Sequence, residues 1–465
     1  MSTAAKSRWI SLAAVCTLNV AGAPPHPFHR RPPIVCMYVR IVWLCSPAVP
    51  NASGQAAIYI LAYLFAIDAG QGSTKSVRGA IGGLTTTEYG ILMSYVSTLP
   101  RALFQIMTGI SSQHVNRKYM FHMGALGITA GLVLIACAQS NWMLALGLIS
   151  INAGAGIVLP AGNIMVAEKF ENDEVAIPLG IFATTMYVGA GLAALAEDLA
   201  LTFGWRNATW CFVALTVAAW NFVGVSVPTE KVFSPESEQL LEEGGNSQSS
   251  PFSDMQGVVR SICSLKVGLL FLAGGVRFMA GLAMGDYIAV FFNIAYSEYN
   301  ELFSILNCIA LAVGGTLSNL AGGYLTQKIF PGLTLTIVTS ILGGAFSVGM
   351  LTITSFGGSM TMLCLMWTFG EGWFAGVIST MKALLPRGHS IDSAIGFFFA
   401  VSSLLGSFDV LILGDVIDDD ETRDVIDVQM LLAGSGCYFL SALFFCVSMF
   451  IPVGAPPRHK SDELD

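Results

Sequence analysis

Charge is scarce in this sequence. Asp, Glu, Lys and Arg make up 11% of its 465 residues, against about 25% in a soluble domain whose water-facing surface needs them. A chain that is 54% hydrophobic, with a mean hydropathy of +0.67, has too few polar groups to cover itself, so lipid must be part of its solvent. Basic stripes are missing too, which argues against nucleic acid as a partner. The ten cysteines stand singly, as at Cys137, Cys308 and Cys446, with no CxxC pair or Cys/His cluster. Neither a metal site nor a disulfide framework is expected from that spacing. The stretch Gly70-Gln71-Gly72-Ser73-Thr74-Lys75-Ser76 lacks both the glycine before the lysine and the preceding strand of a phosphate loop. No Ser/His/Asp arrangement converges, so neither catalysis nor a cofactor is expected. The formal net charge of −8 gathers in the 235–254 segment and in Asp418, Asp419, Asp420 and Glu421. It does not point to acidic or basic partners.

Apolar stretches of helix length are what the chain has in abundance. A membrane span needs about 20 mostly apolar residues, and such runs fall at 55–75, 87–110, 119–138, 142–167, 176–198, 207–227, 265–294, 301–326, 332–355, 358–385, 391–416 and 428–452. They are numbered spans one to twelve below. The 49 glycines suit helices that must approach closely in lipid. The expected architecture is an all-α polytopic membrane protein with twelve transmembrane helices in two pseudo-symmetric six-helix bundles, residues 55–227 and 265–452. A polar segment rich in Ser, Glu, Gly and Pro, residues 228–264, joins them as a cytosolic linker, and 453–465 form a cytosolic tail. Residues 1–54 contain no acidic residue but carry Lys6, Arg8, Arg30, Arg31 and Arg40. They read as a targeting segment, a cytosolic tail, or a misassigned start of the gene.

Charge placement sets the expected topology. The side that holds both termini and the linker collects Arg117, Lys118, Lys169, Lys231, Arg260, Lys266, Lys328, Lys382, Arg387, Arg458 and Lys460. The other side collects Lys75, Arg78, Arg206 and Arg423. The positive-inside rule therefore predicts cytosolic termini. The membrane itself is not specified.

After span two comes Gly109-Ile110-Ser111-Ser112-Gln113-His114-Val115-Asn116-Arg117-Lys118-Tyr119. A fainter copy, Gly322-Gly323-Tyr324-Leu325-Thr326-Gln327-Lys328, follows span eight at the equivalent place in the second half. Two six-span halves with corresponding loops are what a parallel repeat predicts. The first loop resembles the G-x-x-x-D-R-x-x-R-R/K signature of the major facilitator superfamily. The resemblance implies a gate at Gly109, Gln113, Arg117 and Lys118 on the cytoplasmic side. Gln113 stands where the signature has an acid, so a neutral hydrogen bond is expected in the latch, weaker than a charged pair.

Within that superfamily the chain is most similar to the spinster-like group, through Tyr63-Leu64, Thr87-Glu88-Tyr89-Gly90, Asn116-Arg117-Lys118-Tyr119, Gly204-Trp205-Arg206, Pro386-Arg387 and Gly414-Asp415-Val416-Ile417-Asp418. It departs from the group's Asp-Arg pair in span one, where Phe65, Ala66 and Asp68 stand, and has Leu148 and Ala155 in span four in place of an arginine and a glutamate. The resemblance implies a secondary transporter with a lysolipid-like or sphingolipid-like substrate, functioning as a monomer.

Ionisable residues inside hydrocarbon cost about 2.5–3.5 kcal/mol each on insertion scales, so they face a cavity or a partner. The candidates for a substrate and proton path are Asp68, Arg101, Arg277, Asp286, Glu371 and Asp409. Arg277 is expected to bind an anionic group of a small-molecule or lipid-like substrate. Glu371 or Asp68 is expected to take up a proton, because desolvation favours the neutral form of a carboxylate. Alternatively, Arg277 and Glu371 pair with each other and only fix helix packing. Trp142, Trp205, Trp210 and Trp373 read as interface or packing aromatics. The expected activity is alternating-access movement of a small organic or amphiphilic solute through the bilayer, either driven by the solute gradient alone or coupled to protons. A transport-inactive receptor or scaffold of the same fold is the other reading, motivated by the missing acid at Gln113.

Overall fold

The computed structural model describes residues 92–112, 115–170, 174–194, 196–226, 264–330, 332–384, 391–417 and 430–451. Span one, the N-terminal segment, the linker, the acidic run near Asp418 and the C-terminal tail lie outside the described residues. Among the described residues the secondary structure is helical throughout, with no strand. Eight helical stretches there are long and apolar enough to cross a membrane.

Span two is the helix Ser97–Ser111, entered through a π turn at Leu92–Val96. Span three is Arg117–Ala136, whose first turn is capped by the Asn116 side chain accepting from the Lys118 N–H at 2.9 Å. Span four is Asn141–Lys169 and span five Ala176–Ala194, followed by the short helix Ala196–Phe203. Span six is Trp205–Ser226 and span seven Leu265–Ala295. Spans nine, eleven and twelve are Thr334–Thr352, Ile391–Ile417 and Cys437–Phe450, the last preceded by a π turn at Met430–Gly436.

Two expected helices are interrupted. Span eight runs Asn300–Ile309, then a π segment at Ala310–Gly315, then Thr316–Lys328. Span ten breaks at Glu371–Trp373 into Phe356–Gly370 and Phe374–Leu384. Irregular backbone at membrane depth survives only where its polar groups find partners inside the protein. In span ten they do. The Gly370 carbonyl accepts from Arg277 at 2.8 Å, the Glu371 N–H donates to Ser318 Oγ at 3.1 Å, and the Trp373 carbonyl accepts from Thr336 Oγ1 at 3.1 Å.

Packing repeats with a period of six spans. Span two packs on four, three on four and three on six; in the second set eight packs on ten, nine on ten and nine on twelve. The sets meet where span two lies along eleven and span five along eight, which are again equivalents under the same shift of six. Small residues allow these approaches. Gly154 of span four faces span three so closely that a Cβ there would lie 2.8 Å from the Ile128 backbone nitrogen. Ile128, Leu132 and Ile135 fill the buried side of span three. Its other side shows Tyr119, Met123 and Leu126, as span two shows Leu99, Leu103 and Met107. Apolar stripes of that length on an outer surface are the side presented to lipid tails.

Candidate functional site

The interruption of span ten creates the site. Ending the first helix at Gly370 frees its carbonyl from the helical ladder and leaves Glu371 pointing into the bundle. Arg277, from the middle of span seven, reaches both groups: its Nη2 donates to the Gly370 oxygen at 2.8 Å and to Glu371 Oε1 at 2.7 Å. The two side chains are 1% and 3% exposed, so the ion pair is fully desolvated. Glu371 accepts two further bonds, from Tyr438 Oη to Oε1 at 2.8 Å and from Tyr187 Oη to Oε2 at 2.5 Å. A buried carboxylate is tolerable only when paired and hydrogen-bonded, and here three donors from spans five, seven and twelve meet that need.

The tyrosines are held by glycines opposite their rings. Tyr187 rests against Gly315 in the π segment of span eight, where a Cβ would come 2.7 Å from the Tyr187 Cβ. Tyr438 rests on Gly343 of span nine, where a Cβ would meet its ring at 2.5 Å. The Arg277 guanidinium lies 4.1 Å from the Tyr438 ring centre and 5.3 Å from that of Trp373. Cation–π contacts of this kind are stronger when desolvated.

A cavity of about 150 Å³ opens beside this cluster. Arg101 lines it from span two, Met186 and Tyr187 from span five, Asn319 from span eight, and Trp367, Glu371 and Trp373 from span ten. Span seven contributes Arg277, Gly281 and Gly285. These three recur every four residues and so share one helix face. With no side chain on two of them, the wall beyond Arg277 recedes: a Cβ at Gly285 would meet no atom of the described residues within 4 Å.

One end of the bundle is fastened between the two sets of spans. Arg117 Nη2 lies 3.2 Å from Asp392 Oδ2, and its Nη1 donates to the Ser112 carbonyl. Ser112 Oγ donates to Asp392 Oδ2 at 2.7 Å. Gly109 sits directly on span eleven, where a Cβ would come 2.8 Å from the Asp392 carbonyl oxygen and 3.0 Å from Gly396 Cα. At the same end Lys382 Nζ donates to the carbonyls of Ala167 and Phe170, both at 2.7 Å. Gln327 Oε1 accepts from the Ile177 N–H at 3.1 Å. Further in, Ser403 Oγ donates to Gln105 Oε1 at 3.1 Å.

Of the residues singled out in the sequence, Arg101, Arg277 and Glu371 come together at the cavity. Asp286 follows the cavity residue Gly285, and Asp409 lies on span eleven; the side chains of both fall outside the described set, as do Asp68 and Gln113 entirely. Gly109 and Arg117 meet at the fastened end, and the Lys118 N–H serves the cap of span three. The neutral bond expected at Gln113 lies outside the described residues; Arg117 itself pairs with Asp392. Tyr187, Tyr438 and Asp392 were not anticipated. A tyrosine deep in an apolar helix is the available signal for the first two. Trp373, expected to be a packing or interface aromatic, lines the cavity beside Arg277. Trp142, 81% exposed, lies on the outer surface.

A family model described as Major Facilitator Superfamily matches residues 43–408. A crystal structure of a bacterial homologue of the human lysosomal transporter Spinster, inward-facing and unoccupied, is similar with a TM-score of 0.63 at 15% identity, covering 90% of this chain and 98% of that one. The E. coli fucose:proton symporter gives a TM-score of 0.62 at 15% identity, covering 88% and 98%. A human organic anion transporter gives 0.59 at 13% identity, covering 90% and 99%. At these identities the likeness is one of fold. By sequence, the "Probable actinorhodin transporter" of Streptomyces coelicolor is 29% identical over 141 residues, a match that spans 29% of this chain and 24% of that protein.

Proposed function

The chain belongs to the Major Facilitator Superfamily, and from that premise we propose that it is a secondary active carrier of a small organic anion, coupled to protons through Glu371. The observation that carries this reading is the desolvated Arg277–Glu371 pair at the edge of a cavity lined from both sets of spans. Arg277 is the anion site, and Glu371 occupies it when no substrate does. An arriving anion competes for the guanidinium. Glu371, left without its cation in a low-dielectric site, takes up a proton rather than remaining an isolated buried charge. Tyr187 and Tyr438 hold the carboxyl in place during the exchange. Arg101 adds a second positive group to the same space.

Movement follows the two sets of spans, residues 55–227 and 265–452, rocking about the cavity. The end fastened by Arg117–Asp392 and Lys382 is the cytosolic one. Its support is the concentration of Lys and Arg there, which the positive-inside rule assigns to the cytosol together with both termini. Closure of this end leaves the cavity to be loaded from the opposite side. The Arg117–Asp392 pair supports the carrier reading over a transport-inactive receptor, because span eleven supplies a charge at this end that Gln113 does not.

Counterflow in proteoliposomes tests the carrier reading. Vesicles preloaded with an unlabelled organic anion should accumulate the labelled one transiently, and Arg277→Ala should abolish that overshoot. Binding without exchange, from protein shown to be folded, would favour the receptor reading instead.

A further inference from the structure

We propose that the cavity beside Arg277 is built for one planar aromatic ring carrying a single carboxylate, a benzoate-like anion rather than a lipid. The inference rests on the carrier reading above for its biological sense, but it concerns binding, which can be measured without flux.

Size is the first ground. The space amounts to about 150 Å³, and an apolar protein cavity of roughly 150 Å³ accepts a molecule as large as benzene. Most of a lysolipid would have to lie outside it. The second ground is the nature of the walls. Trp373 and Phe278 pack edge-to-face with centres 5.6 Å apart, and Tyr187 and Trp367 do the same at 6.3 Å. These rings present both faces and edges to the space they enclose. A flat aromatic guest extends such a pattern, gaining roughly 2- to 12-fold in affinity per added ring pair over an aliphatic guest of the same area.

The third ground is the placement of donors. Among the cavity residues, Trp367 Nε1 and Arg277 Nε are both buried without an acceptor among the described residues. Buried N–H groups are seldom left unmatched, and a carboxylate arriving beside them, with a small movement of the side chains, brings two acceptor oxygens. The fourth ground is the bare wall. Gly281 and Gly285 continue the face of span seven that carries Arg277, and a Cβ at Gly281 would sit 3.6 Å from Arg277 Nη1 without clash. The space for the ring therefore exists because these two positions have no side chain. They fix the size of guest that can reach the guanidinium.

The test is isothermal titration of the purified full-length protein with benzoate, cyclohexanecarboxylate, benzamide and a lysophospholipid below its micelle concentration. Benzoate should bind at least about fivefold more tightly than cyclohexanecarboxylate, the size of one or two ring contacts. It should also exceed benzamide by about tenfold or more, since the amide lacks the charge. Gly285→Leu, which meets no neighbouring atom at its Cβ, should keep the thermal midpoint of the parent and lose benzoate binding at least tenfold. Trp367→Phe should retain the ring contact and weaken benzoate several-fold by removing one donor to its oxygens.

Equal affinity for benzoate and cyclohexanecarboxylate would overturn the aromatic assignment. Tighter binding of the lysophospholipid, or unchanged benzoate binding in Gly285→Leu, would overturn the site. No benzoate binding to the folded parent would overturn the inference as a whole. Parallel counterflow with the same compounds separates the two proposals: benzoate binding without exchange contradicts the carrier reading alone, whereas exchange of other anions without benzoate binding contradicts this inference alone.

Discussion

Removing either member of the Arg277–Glu371 pair should be far more damaging than removing both. In Arg277→Leu the carboxylate keeps the Tyr187 and Tyr438 hydroxyls but loses its only described cation, at 2.7 Å. In Glu371→Gln the guanidinium stays buried, held by the Gly370 carbonyl and the rings of Tyr438 and Trp373. Breaking one side of a buried pair costs about 3–5 kcal/mol, so independent effects would sum to about 6–10 kcal/mol. In the double variant no charge remains unpaired. What persists is the unmatched Gly370 carbonyl, about 1–3 kcal/mol, and some lost packing. The expected coupling is a few kcal/mol, inside the range of about 1.5–7 kcal/mol found for close charge pairs. Reversible unfolding in mixed micelles, followed by near-ultraviolet circular dichroism, measures all four proteins. A double variant whose loss equals the sum of the single losses within about 0.5 kcal/mol would refute the pairing argument.

Four further outcomes follow from the same geometry. Asp392→Asn keeps the Ser112 bond but removes the charge facing Arg117, a change of about 1 kcal/mol. Spin labels at the exposed positions Val115 and Phe330, read by pulsed electron resonance, should show the separated population rising about fivefold; an unchanged distance distribution contradicts the latch. Lys382→Met removes the donor to two carbonyls and should loosen the same end by about 1–3 kcal/mol, seen as faster modification of a cysteine placed at the buried Ala167. Gly315→Ala should push the Tyr187 ring from Glu371 and lower stability by about 1–3 kcal/mol. Gly357→Ala, where a Cβ meets nothing within 4 Å, should stay within about 0.5 kcal/mol of the parent.

Much of the architecture was legible because burial in lipid demands long apolar runs, and those runs survive as helices from span two onward. What the runs hide is where they break. Periodicity in 301–326 and 358–385 gives no sign of the π segment at Ala310–Gly315 or the break at Glu371–Trp373, since both stretches stay apolar and the stabilising bonds come from Arg277, Ser318 and Thr336 on other helices. Arg277 and Glu371 stood out singly, because a charge in hydrocarbon is conspicuous. Their closeness, with Gly370 between them in the bonding, depends on a break that sequence alone does not disclose. Tyr187 and Tyr438 carry only the weaker signal of a hydroxyl in an apolar run, a group cheap enough to bury anywhere it finds a partner. Asp392 looked like an ordinary acid in the first turn of a helix, 275 residues from the arginine it meets.

The most direct test of the central claim is accumulation of a labelled organic anion, benzoate first, in proteoliposomes with an imposed pH gradient. If Glu371 couples the anion to a proton, the parent protein accumulates label against its own gradient while the pH difference lasts. Glu371→Gln, locked in the neutral form, should then exchange the anion without concentrating it. Accumulation by Glu371→Gln equal to that of the parent would contradict the account, because the proton would then have to travel by a path that does not include the Arg277–Glu371 pair.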